Sequence, residues 1–314
     1  MTFGDYLLEL FYLVDSELAA LNLTDLRKRG PDPKLHDSEI ITMELAGEFL
    51  KLDTDKGIWQ HFRRYHLAEF PKLAWVDRTR FARQSADLWR VKQLLRERLV
   101  GSLPQADPVM GKLLWIFDSF PLRVCKFKRA PAHKLFRAAA AYGRDPTAGS
   151  EVARGREGLM YGFHVHLCCC QFGPCLRFEL APANVTDWPM VLQLLPDQTR
   201  MPPEGVTGLG DRNYWKPDGR QALRNKGLDL IAPFRKESSD PTPLSSERIS
   251  RLRQIIEPVI GQLATRFNCQ RTWARDLWHL TNRLTRKLLS HTAAVLINYR
   301  HGNPMLQLEL LVND

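Results

Sequence analysis

Residues 112–124, KLLWIFDSFPLRV, restrict the chain more than any other stretch. Leu113, Leu114, Trp115, Ile116 and Phe117 form a short apolar run of strand formers, and Ser119, Phe120 and Pro121 interrupt it. Such a run, bounded by a breaker, predicts a buried strand. Asp118 falls at its end, where a carboxylate is costly to bury unless a cation meets it. An aspartate so placed could simply cap a turn. Two later stretches argue otherwise. GVTGLGDRNYW, residues 205–215, sets Asp211 after a second strand-like segment, and SSERISRLRQIIEPVIGQLATRF, residues 245–267, sets Glu257 in a helical pattern.

Two strand-end aspartates and a helix glutamate supply only oxygen, the ligand type that Mg²⁺ prefers. The cysteines, at 125, 168, 169, 170, 175 and 269, show no C-x-x-C pair and read as reduced thiols, as in a cytoplasmic protein. The N-terminus, MTFGDYLLELFYLVDSELAAL, carries Asp5, Glu9 and Asp15 and reads as an amphipathic helix instead of a signal peptide. No run approaches the roughly 18 apolar residues of a membrane span.

With 314 residues the chain has room for a large domain and a smaller one, and its net charge is +10. Residues 1–100 hold 16 Lys/Arg and 16 Asp/Glu, so the whole excess lies beyond them. Residues 119–158 carry nine basic residues against three acidic, and residues 264–301 seven against one. Two basic blocks of this kind point to a polyanion partner. Lys126, Lys128, Arg129, Lys134, Arg137, Arg212, Arg275 and Arg283 are the candidate contacts.

Residues 1–100 read as an all-helical domain. Asp37, then Asp53 or Thr54, then Asp77 are the predicted N-caps, and a single long helix is expected after Asp77. Arg78, Arg80 and Arg83 at its start resemble a helix-turn-helix that binds DNA or dimerises. Residues 101–111, GSLPQADPVMG, form the expected linker, and residues 112–314 the second domain with its basic C-terminal helix. LMYGFHVHLCCCQ alternates as a strand with His164 and His166 on one face, and Gly173 and Pro174 turn it into the strand CLRFELA. The histidines are supporting candidates, for phosphate or for the acidic cluster. Asp187, before Trp188 and Pro189, reads as a helix cap and is the alternative second carboxylate. Arg253, four residues before Glu257, is placed to orient it.

The residues FDSFPLRVCKF, YGFHVHL, ANVTD, GDRNY and RQIIEPVIGQL, in this order, resemble a bacterial insertion-sequence DDE transposase, most closely insertion sequence family 982. The resemblance covers nearly the whole chain. Where relatives carry Tyr and Lys around the Arg and Glu of the glutamate helix, this chain has Ser250 and Ala264. Asp-Lys-Gly-Tyr of relatives is here Asp211, Arg212, Asn213 and Tyr214.

The resemblance implies an α/β fold: a ribonuclease H-like catalytic domain, with a mixed five-stranded sheet flanked by helices, after the helical domain. It implies Asp118, Asp211 and Glu257 as catalytic residues binding two Mg²⁺ ions, with Mn²⁺ able to substitute. The implied reaction is cleavage at the transposon ends and joining of the freed 3′-OH to target DNA. The implied partners are double-stranded DNA, both terminal inverted repeats and target, and a second copy of the chain as a homodimer on DNA. A nuclease without strand transfer and a catalytically silent DNA-binding regulator are the alternatives.

Overall fold

The computed structural model describes residues 1–23, 32–103, 113–125, 127–132, 135–145, 158–214, 216–233, 246–271 and 273–313. The chain divides into two compact units, residues Met1–Leu103 with Gln262–Asp314, and Pro104–Gly261. The linker expected at 101–111 lies largely outside the described residues, as do Lys126 and Lys134. Among the described residues no helix is long and apolar enough to cross a membrane.

The first unit is helical: α1 (Phe3–Leu21), α2 (Asp37–Phe49), α3 (Asp55–Tyr65), α4 (Arg78–Asp87) and α5 (Trp89–Gly101). Thr2 caps α1 in a reciprocal box with Asp5, Thr54 caps α3, and Asp77 caps α4 through the amides of Thr79 and Arg80. His36, not Asp37, is the N-cap of α2, with Glu39 accepting from its amide. The single helix expected after Asp77 is two helices. Lys92 Nζ donates to Ser85 O at 2.9 Å, the carbonyl that a continuous helix would offer to the amide four residues on.

Lys92 is buried because α2 carries Glu44 and Glu48 into the core with no exposure at all. The long C-terminal helix, called α10 here (Leu277–Arg300), meets them. Arg286 binds Glu48 at 2.5 Å, Glu44 at 3.1 Å and Asp55 at 2.6 Å, and Lys287 binds Glu48 at 2.6 Å. Arg283 pairs with Asp55 at 3.2 Å. This network corrects the expected boundary: the C-terminal helix belongs with the first hundred residues, not with the sheet. It also corrects the charge reading, because three of the seven basic residues in 264–301 neutralise buried carboxylates. The sheet unit carries 22 Lys/Arg against 16 Asp/Glu, so the excess is shared between the units.

The second unit holds β1 (Leu114–Cys125), β2 (Ala141–Arg144), β3 (Leu159–Cys170), β4 (Cys175–Pro182), α6 (Asp187–Leu194), β5 (Val206–Leu209), α7 (Pro217–Arg224), β6 (Leu228–Ile231), α8 (Ser246–Arg253) and the start of α9 (Ile256–Thr265). Among the described residues six strands, one more than the five expected, form one mixed sheet in the order β2-β3-β1-β5-β6, with β4 off that path. β4 lies beside β3 next to β2, pairing with Phe163 to Cys169 while β2 pairs with Leu159 to Gly162. β1 and β3 are antiparallel, and β1, β5 and β6 run parallel. The turn from β3 to β4 uses Gly173 at φ 102, a conformation glycine adopts without strain.

β1 does not stop at Asp118. It runs through Ser119, Phe120 and Pro121 to Cys125. Its pairing with β5 covers only Leu114 to Ile116, so from Phe117 onward one flank is an edge, where proline is tolerated. Alternate residues then serve two cores. Trp115, Phe117 and Cys168 pack with Val191, Leu194 and Leu223 of α6 and α7. Leu114, Leu209 and Ile231 pack on the opposite face with Ile249 of α8.

Candidate active site

Register brings Asp118 and Asp211 together. Ile116 pairs with Leu209 in the last rung between β1 and β5. Asp118, within β1, lies two residues beyond the first, and Asp211 lies two beyond the second, past the end of β5, so both emerge from the α8 face at the carboxyl end of the parallel β1–β5 pairing. Open α/β sheets bind ligands at such ends. Asp118 Oδ1 accepts from the Ser119 amide at 2.8 Å, and Oδ2 accepts from Arg253 Nη1 at 2.7 Å. Asp211 is turned by Asn213, whose amide donates to Oδ1 at 2.8 Å and whose side chain donates to Oδ2 at 3.1 Å.

Asp187 comes from the other face. Thr186, not Asp187, is the N-cap of α6, and it makes no side-chain cap bond. The helix-cap reading of Asp187 is therefore corrected. As the first residue of α6, Asp187 turns its carboxylate inward. Oδ1 accepts from Ser119 Oγ at 2.9 Å, and His166 Nδ1 stands 3.3 Å from the same oxygen, off the line of a hydrogen bond. His164 is half-buried, with Nε2 3.2 Å from Arg144 O.

The electrostatics record a surplus of negative charge. Burial pushes the Asp118 carboxyl up to about 6, against the pull of Arg253 and the Ser119 amide, and the nearby Asp211 and Asp187 add to the rise. Burial likewise raises Asp211, and Asp187 adds to it. For Asp187 burial also acts upward, but His166 and the Ser119 hydroxyl outweigh it and leave the group below its ordinary value. Tyr214, raised well above the usual phenol by burial and then by Asp187, Asp118 and Asp211, lies against the same cluster.

Glu257 stands apart. The helix expected over 245–267 breaks at Gln254 and Ile255, leaving Arg253 at the end of α8 and Glu257 in the first turn of α9. Pro258 accounts for the break, since it has no N–H to give Gln254 O and its ring crowds that carbonyl. The expected Arg253–Glu257 pair is absent among the described contacts; Arg253 reaches Asp118 instead, and Glu257 is exposed.

Of the basic candidates, Lys128, Arg129, Arg137, Arg212 and Arg275 are exposed. Arg283, held by Asp55 and largely buried, is not available as a surface contact. Reasoning from the sequence did not single out Ser119. The signal is present in principle, since Ser119 and His166 are direct cross-strand partners, but the register between two strands is not written in either one alone.

A family model described as a transposase DDE domain matches residues 111–277. That match spans more than half of the chain, so the chain belongs to the DDE transposase family. No curated protein and no solved structure matches it.

The donor set suits a hard divalent cation. Asp118 and Asp211 offer only carboxylate oxygens, and with Asp187 beside them the cluster carries more negative charge than Arg253 offsets. Among the described residues no three His, Cys, Asp or Glu side chains already form a metal-binding group. What the fold assembles is a field that favours a cation, beside two carboxylates.

Proposed function

We propose that this chain cuts the phosphodiester at a transposon end and joins the freed 3′-OH to target DNA, using a ribonuclease H-like sheet unit. The observation that carries the reading is the placement of Asp118 and Asp211 side by side just past the last rung between β1 and β5, in a chain of the DDE family. An antiparallel β4-β3-β1 half joined to a parallel β1-β5-β6 half supports the ribonuclease H-like assignment. The motif order supports insertion sequence family 982.

Asp118 and Asp211 would hold the catalytic ions, and the resemblance makes Glu257, which stands apart from them in the structure, the third carboxylate. Two Mg²⁺ ions, or Mn²⁺ in their place, would supply the positive charge that stabilises the attacking and leaving oxygens of the phosphodiester. Arg253 holds Asp118 in place from the α8 face. Exposed Lys128, Arg129, Arg212 and Arg275 are the proposed phosphate contacts, which position DNA without reading its sequence. A second copy of the chain on the paired ends is part of the same proposal.

The test is a joining assay with DNA flanking this reading frame, a labelled plasmid target and Mg²⁺. The expected result is strand-transfer product that EDTA abolishes. Cleavage without joining would make the chain a nuclease. DNA binding with neither product would make it a silent regulator.

A further inference from the structure

Asp187 is held too deliberately for a bystander. Ser119 of β1 and His166 of β3 face each other across one rung of the sheet, and both address the same oxygen of Asp187. His166 has no exposed surface at all, and its Nε2 has no hydrogen-bond partner among the described residues. A buried imidazole of that kind is costly unless it has a task. Oδ1 is therefore bonded by Ser119 on one side and approached by the His166 ring on the other. The Tyr214 hydroxyl, also buried and without a hydrogen-bond partner among the described residues, feels Asp187 more strongly than Asp118 or Asp211. Position at the start of α6 adds the helix dipole, which favours a negative charge there.

We propose that Ser119 and His166 form a cross-strand brace that fixes Asp187 as an outer carboxylate of the site. In that role Asp187 draws a divalent cation to Asp118 and Asp211 without ligating it. The proposal rests on the cation-binding reading of that pair. Ser119 and His166 are positioning residues, acting through Asp187. The brace works because both partners are anchored in the sheet, where the β1–β3 register sets Ser119 and His166 opposite each other. A carboxylate carried by a loop would turn toward the cation and compete for it. One clamped through Oδ1 contributes its field and stays in place.

The experiment measures Mn²⁺ affinity of the full chain, without DNA, by the electron paramagnetic resonance signal of free Mn²⁺, alongside thermal melting in EDTA. Asp118→Asn should weaken Mn²⁺ binding by about 100-fold or more. Asp187→Asn, Ser119→Ala and His166→Leu should each weaken it about 3- to 10-fold. Ser119→Thr, which keeps the hydroxyl, should bind like the unaltered chain, and Ser119→Ala should melt within about 2 °C of it. Unchanged Mn²⁺ affinity in Asp118→Asn overturns the underlying cation reading. A loss in Asp118→Asn with none in Ser119→Ala and Asp187→Asn overturns the brace alone. Loss in Asp187→Asn as complete as in Asp118→Asn makes Asp187 a direct ligand and overturns the outer role. Should His166→Leu not fold, the Ser119→Ala and Ser119→Thr pair still decides.

Discussion

Asp118 should cost the protein stability whenever no cation is bound, and the cost can be worked out. Its side chain is only 20% exposed, and burial holds its carboxyl at about 6 against an ordinary 3.8. At about 1.4 kcal/mol per pH unit, that difference is about 3 kcal/mol. The sign follows from the direction: a carboxyl raised in the folded state favours folding below 3.8 and loses that contribution as pH climbs through about 6. Asp118→Asn keeps the shape and can still accept from the Ser119 amide, but it never ionises. In EDTA at pH 7.5 the variant should therefore be more stable by about 2–3 kcal/mol, or about 4–12 °C in melting midpoint for a unit of this size. The advantage should fade to nothing near pH 3. Adding Mn²⁺ should raise the midpoint of the unaltered chain and leave the variant's unchanged. Circular dichroism melts across pH 3–8 suffice. An Asp118→Asn chain that melts at or below the unaltered one at pH 7.5 in EDTA would refute the reasoning.

Three further outcomes follow from the same geometry. Arg286→Met removes a fully buried guanidinium from Glu44, Glu48 and Asp55 and should cost about 3–5 kcal/mol in denaturant unfolding; adding Glu48→Gln should recover part of it, and a loss below about 1 kcal/mol contradicts the network's importance. Arg275→Ala should weaken DNA binding and reduce its salt slope by about one without changing the melt, whereas Arg283→Ala should lower the melt through loss of Asp55, with calorimetry and filter binding separating the two. Arg253→Ala removes the cation that holds Asp118 down, so the pH of half-maximal Mn²⁺ binding should move upward; an unchanged midpoint would exclude Arg253 from that role.

Legibility varied with how local the cause was. The apolar run before Asp118 and the alternation of β3 are local, and both strands are where periodicity puts them. Pro121 misleads because it marks an edge, and edge status depends on β5 ending its pairing at Ile116. The meeting of Asp118 with Asp211 was reachable from motif order, but Asp187 with Ser119 was not, because that contact needs the β1–β3 register and the docking of α6. Glu257 falls in a pattern that reads as one continuous helix, which Pro258 interrupts. Glu44 and Glu48 show the largest gap: charged residues normally stay in water, and only the distant arrival of Arg286 and Lys287 permits their burial.

The central claim is that Asp118 and Asp211 form the catalytic pair. Its most direct test is Mg²⁺-dependent cleavage of DNA carrying the flanks of this reading frame, with Asp118→Asn, Asp211→Asn, Glu257→Gln and Asp187→Asn side by side and DNA affinity measured for each. The account predicts undiminished DNA binding throughout, no cleavage in the first three, and slowed but measurable cleavage with Asp187→Asn. Cleavage that survives Asp211→Asn and disappears with Asp187→Asn would contradict it, and would make the pair Asp118 and Asp187.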